Sequence, residues 1–146
     1  MRILKMTLFV FLALTYLGCT TSRAVIADSA NLANYNYATI ANVMGYGGSP
    51  FLMDMEVQVF NALLTTRLTV IGDREIGSLA ESQRQQLLLV RFSANQQTNQ
   101  FGTVSTVAIN FVEYITGRPV VSFTGTSEVG MSAALNSATT RMQNMF

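Results

Sequence analysis

Histidine and tryptophan are absent from this 146-residue chain, cysteine occurs once, proline twice, and lysine only at position 5. Each gap closes off a chemistry. Without His, neither a Ser-His-Asp nor a Cys-His arrangement can be built, and the usual general base near neutral pH is missing. Beyond Lys5 there is no amine for a Schiff base or a P-loop cation. A zinc site would need an all-oxygen shell, which that ion disfavours. Charged residues are only 12% of the chain and the net charge is +1, so there is no electrostatic footprint for nucleic acid. A two-carboxylate hydrolase would have to draw on Asp28, Asp54, Glu56, Asp73, Glu75, Glu81, Glu113 and Glu128, and their spacing does not favour one. The expectation is a protein that is not an enzyme and uses no cofactor and no metal.

What is present is concentrated at the front. Arg2 and Lys5 give a basic start, Met6 to Leu17 is apolar apart from Thr7 and Thr15, and Gly18-Cys19 closes the run. A basic region, a short apolar stretch and a small residue before cleavage form a secretory signature. The run is too short to span a bilayer, which takes about 20 apolar residues. The stretch Tyr16-Leu17-Gly18-Cys19 resembles the lipobox of bacterial lipoproteins, although Tyr16 and Leu17 stand where the usual pattern has Leu and a small residue. That resemblance implies a signal peptide over 1–18, cleavage before Cys19, and a diacylglyceryl group on Cys19. Two acyl chains anchor durably, each buried CH₂ contributing about 0.8 kcal/mol. Thr20, rather than Asp, follows the cysteine, which by the same resemblance implies a periplasm-facing address on the outer membrane. Cleavage removes Arg2 and Lys5, leaving seven Arg against eight acids in 128 residues, a comfortable size for one domain.

Residues 19–34 read as a lipidated N-terminus and flexible tether with little periodicity beyond Val25-Ile26. About 15 residues of tether reach roughly 50 Å at full stretch, so the domain over 35–146 should stay near its membrane. Tyr35 to Met44 is a strand candidate, ended by Gly45-Tyr46-Gly47-Gly48. That glycine cluster lacks the Lys-Ser/Thr and the full spacing of a phosphate loop. Ser49-Pro50 opens a helix with Asp54 and Glu56 near its positive end, and Leu52, Met55, Val59, Ala62 and Leu63 form its apolar stripe. A short strand over 68–71 and a short helix over Ile76–Gln83 follow. Leu87–Phe92 reads as a buried strand, Asn95–Gly102 as a loop, and Val104–Tyr114 as the clearest strand. Thr116-Gly117 turns the chain into an antiparallel return over Pro119–Thr126. Met131, Leu135, Ala138, Met142 and Met145 stripe a closing helix. Eight methionines invite a soft-metal reading, but two leave with the leader and the rest mostly sit on helix stripes as core filler. Two helix stripes need a common apolar surface, so the fold class is α+β, a two-layer sandwich of a mostly antiparallel sheet with helices on one face.

The helix and strand over Asn61–Arg74, and the stretch Glu113-Tyr114-Ile115-Thr116-Gly117-Arg118-Pro119-Val120 between paired strands, resemble a group of envelope domains. The group comprises the curli secretion channel lipoproteins, lipoprotein activators of penicillin-binding proteins, and the N-terminal domain of the Tol-Pal β-propeller protein. The chain has no room for the long insertions that build the curli channel's barrel, nor for the activators' long tether. The resemblance therefore implies a non-catalytic module that binds envelope proteins or a second copy of itself.

The function expected is that of a membrane-anchored cell-envelope lipoprotein, serving as an interaction or assembly subunit of an envelope complex. Its partners would be the membrane through Cys19, and envelope proteins or further copies in a homo-oligomer. The candidate contact surface is the tyrosine and glycine cluster Tyr35, Tyr37, Tyr46, Gly47 and Gly48, since Tyr supplies large amphipathic area at low rotor cost. The alternative is an accessory lipoprotein that binds a small molecule, lipid or glycan beside a transporter or synthase, which would need a deep apolar pocket with convergent polar groups.

Overall fold

The computed structural model describes residues 19–41, 50–100 and 102–146. Among the described residues, six strands and three α-helices follow one another: β1 (Thr20–Ile26), β2 (Tyr37–Ile40), α1 (Pro50–Leu64), β3 (Thr69–Val70), α2 (Glu81–Arg84), β4 (Leu87–Asn99), β5 (Gly102–Glu113), β6 (Pro119–Ser127) and α3 (Met131–Gln143). The strands form one six-stranded sheet in the order β1-β6-β5-β4-β2-β3. β1, β6, β5 and β4 pair antiparallel, while β2 lies parallel to both β4 and β3. This is an α+β fold. The signal peptide expected over 1–18 and the glycine cluster at Tyr46, Gly47 and Gly48 lie outside the described residues.

Alternation builds the core. Ser105, Val107, Ile109 and Phe111 of β5 are buried, as are Val121, Phe123 and Ser127 of β6, so one face of the sheet is covered. Met55, Val59, Ala62 and Leu63 of α1 and Ala134, Leu135, Ala138 and Met142 of α3 fill that face as a single cluster, as their helical spacing predicts. Phe111 packs edge-on to Phe123 at 5.7 Å between centroids, and Phe146 closes over both. The helices meet through Gln143, whose Nε2 donates to Thr65 Oγ1 at 2.7 Å.

Gly125 lets α3 lie on β6. A Cβ there would stand 1.9 Å from the Ala134 carbonyl oxygen and 2.8 Å from the Ala138 amide nitrogen, so only hydrogen fits. Gly117 at the hairpin turn has φ +69°, a conformation that glycine adopts freely.

Three expectations need correction. Residues 19–34 are not a free tether: Thr20–Ile26 is β1, in register with β6 from Thr20 opposite Ser127 to Ile26 opposite Val121. Small polar side chains hide this strand because its main chain, not its side chains, holds it. Within the expected loop Asn95–Gly102, residues Asn95–Asn99 are a hairpin arm, with β4 and β5 paired out to Asn99 opposite Gly102. Its Asn, Gln and Thr side chains are mostly exposed, so the alternation that marks a strand is missing. The expected helix over Ile76–Gln83 divides into a 3₁₀ turn at Ile76–Ser78 and the four-residue α2, because Leu79 and Ala80 between them are extended.

Candidate interaction surface

Tyr35 is 6% exposed and belongs to the core, not to a contact surface. Its hydroxyl donates to Glu113 Oε1 at 2.7 Å, bridging the start of β2 to the end of β5. Burial, then the carboxylate beside it, pushes the phenol up to about 12. The Thr116 hydroxyl, then Tyr35 and the charge of Arg118, hold the Glu113 carboxyl below its usual range. Arg67 completes this end of the molecule. Its Nη1 donates to the Tyr35 carbonyl at 2.7 Å, its Nη2 donates to the Leu32 carbonyl, and its guanidinium lies 5.7 Å from the centre of the Phe146 ring. This network is a structural clasp. Tyr37 is half-buried, and its hydroxyl accepts from Gln83 Nε2 at 3.2 Å. Of the five residues expected to form a surface, only Tyr37 is therefore partly presented among the described residues.

The apolar surface lies elsewhere. Met53, Val57, Phe60 and Leu64 of α1 are 62%, 57%, 41% and 57% exposed, and their i, i+4, i+7, i+11 spacing lines them along the side of α1 away from the core. Sequence reasoning picked out the buried stripe of this helix and missed the second one, although the same periodicity marks both. A helix apolar on both sides is normally covered on both.

A cleft of about 370 Å³ opens beside this stripe at the C-terminal ends of the parallel strands β2 and β3, lined by Thr39, Ile40, Glu56, Phe60, Val70 and Asp73. Thr39 is buried, and its hydroxyl donates to Asp73 Oδ1 at 3.5 Å. The carboxylates can hold a cationic or hydroxyl-bearing group. The neighbouring Asp73-Arg74-Glu75 segment is a solvated turn in which Glu75 accepts from the Gly72 amide. No three His, Cys, Asp or Glu side chains gather to hold a metal ion among the described residues. Cys19 is exposed and directly precedes β1. No described helix is long and apolar enough to cross a membrane.

No family model and no curated protein matches the chain. Solved structures do. A PDZ domain protein from Parabacteroides distasonis superposes with a TM-score of 0.62 at 8% identity, over 88% of this chain and 35% of that one. This chain thus spans about a third of that protein's length. A PelC dodecamer from Paraburkholderia phytofirmans superposes with a TM-score of 0.50 at 19% identity, over 84% of this chain and 94% of that one. The likeness is one of fold. At these identities it carries no activity across.

Proposed function

We propose that this chain is a lipid-anchored cell-envelope protein, held at the periplasmic face of the outer membrane through Cys19, that works as a non-catalytic interaction and assembly subunit. The observation that carries the reading is the outward stripe of α1. Four large apolar side chains in one row exceed the scattered hydrophobics that monomers expose, and contiguous patches of this kind mark interaction surfaces. The shared fold with PelC, whose structure is a dodecamer, supports self-association as one form of that role. Supporting the anchor is the basic and apolar leader that ends at Gly18-Cys19.

The test is the acylated protein purified from membranes, with its mass measured by light scattering and by mass spectrometry. Acylation at Cys19 and a mass above one chain are expected, and Cys19→Ser should move the protein out of the membrane fraction. Unchanged partitioning of that variant, or an unacylated mature chain, overturns the anchor. A single chain that recovers no envelope protein overturns the assembly role. The cleft over Thr39, Glu56 and Asp73 favours a second reading, an accessory protein binding a small polar ligand. A monomer purified with a stoichiometric small molecule would replace the first reading with that one.

A further inference from the structure

Among the described residues, two long strand edges carry no further strand, that of β1 at one end of the sheet and that of β4 beyond its pairing with β2; the two-residue β3 ends the sheet on that side. β1 is an end strand and, among the described residues, has β6 on one side and no strand on the other. β4 pairs with β2 through Leu87–Val90, and from Arg91 to Thr98 it has β5 on one side and no strand on the other among the described residues. Monomeric sheet proteins protect such edges with proline, inward-pointing charge or bulges. Neither edge has proline, and the charged side chains on them are Arg23 and Arg91.

The two edges match in direction, height and hydrogen-bond phase. Three antiparallel pairings separate β1 from β4, so β1 of a second copy set beside β4 runs antiparallel to it. Traced through β6 and β5, Thr20 lies level with Gln96 and Ile26 level with Val90. The Ala27 amide donates to the Val120 carbonyl at 2.9 Å, so by alternation Thr20, Ser22, Ala24 and Ile26 turn their main-chain groups outward. The Ala41 amide donates to the Val90 carbonyl at 2.9 Å, away from β5, so Phe92, Ala94, Gln96 and Thr98 do the same. The side chains of both sets share the helix-covered face, and Ala24, Phe92 and Ala94 already pack against the core.

We infer that copies of this chain join head to tail, β1 of one adding to the outer edge of β4 in the next. Ala41 already occupies the Val90 position, so the added strand slips by two residues. Ile26 then faces Phe92, Ala24 faces Ala94, Ser22 faces Gln96 and Thr20 faces Thr98. A two-residue slip is about 7 Å, the kind of stagger with which tilted strands close on themselves. The contact is heterologous and leaves a β1 and a β4 edge free at its ends, so it propagates until it closes. β1 begins at the same end of every copy, so all the Cys19 residues line one rim and can reach one membrane. The inference deepens the assembly reading and rests on it.

The experiment uses the acylated protein in detergent, with mass read by light scattering and native mass spectrometry. Wild type should be larger than a dimer. Ala24→Pro and Ala94→Pro each remove an outward N–H and no internal bond, so both should fold and be monomers. Mixed together they should give a dimer and nothing larger, because each variant retains the edge that the other lacks. If either proline variant fails to fold, Ile26→Lys and Ala94→Lys place an inward charge on the same edges and should behave alike. A monomeric wild type overturns the inference, as does a monomer whose outward Phe92, Ala94 and Gln96 amides exchange slowly, or proline variants that still form the full assembly. Membrane partitioning is read separately. A membrane-bound monomer defeats edge pairing and leaves the anchor standing, and a soluble multimer does the reverse.

Discussion

Among the described glycines, Gly125 should be the one at which alanine does most damage. The added Cβ would lie 1.9 Å from the Ala134 oxygen, 2.8 Å from the Ala138 nitrogen and 3.0 Å from the Ala134 carbonyl carbon. Carbon and oxygen approach to about 3.3 Å even in close backbone contacts, so α3 must retreat by roughly 1.4 Å. The obstacles are main-chain atoms in mid-helix, so no side-chain rotation relieves the clash. Retreat by that much forfeits half or more of the dispersion contacts of Ala134, Leu135, Ala138 and Met142 with the sheet. Overpacking typically costs about 1–3 kcal/mol. With the added loss along α3, the expected destabilisation is about 3 kcal/mol. The entropy that alanine removes from the unfolded chain returns only about 0.4–1 kcal/mol. Urea titration of the mature domain, followed by near-ultraviolet dichroism, measures the difference, and a melting scan should show a fall of about 10 °C. Gly77→Ala is the control, because a Cβ there meets nothing within 4 Å. A loss under about 1 kcal/mol for Gly125→Ala with native dichroism intact would refute the claim that backbone contact sets the distance between α3 and β6.

Tyr35→Phe removes the donor to Glu113 and should cost about 1–2 kcal/mol at neutral pH, since the carboxylate is partly solvated. Glu113 is held below its ordinary 4.5, so its contribution is full above that pH and lost as pH falls through the folded value. Tyr35 is held up at about 12 against an ordinary 10, so its contribution is full below pH 10 and lost as pH rises through 12. Urea midpoints across pH should therefore show the two proteins converging at both extremes, and a gap independent of pH would contradict the pairing. Arg67→Lys retains the charge but loses the fork that reaches Leu32 and Tyr35 together, and it weakens the stacking on Phe146. A loss of about 1–2 kcal/mol is expected by the same titration, and a neutral result would show the clasp to be incidental.

What could be read from the sequence is what side chains do when they are buried. The stripe Met55, Val59, Ala62, Leu63 and the alternation Val107, Ile109, Phe111 lie where their periods place them, because burial selects residue type at each turn or pleat. Tyr35 shows where that logic stops. An amphipathic tyrosine can sit at a surface or under one, and the choice depended on Glu113, which lies 78 positions away in sequence and arrives through sheet topology.

The two largest misreadings share one cause, and it bears on the proposed assembly. Residues 20–26 look like a tether and 95–99 like a loop because most of them are polar, yet the first are held by ladder bonds to β6 and the second by ladder bonds to β5. Main-chain hydrogen bonding imposes almost no side-chain requirement at an edge, where neither face need be buried. The same indifference makes an edge able to accept another strand. A chain that joins by its strand edges would therefore show its interface in sequence as unremarkable polar segments, flanking the hydrophobic runs that build the fold. The outer stripe of α1 offers the contrasting test. An interface built on Met53, Val57, Phe60 and Leu64 should fail with Val57→Asp and survive Ala94→Pro, whereas edge pairing requires the opposite pattern.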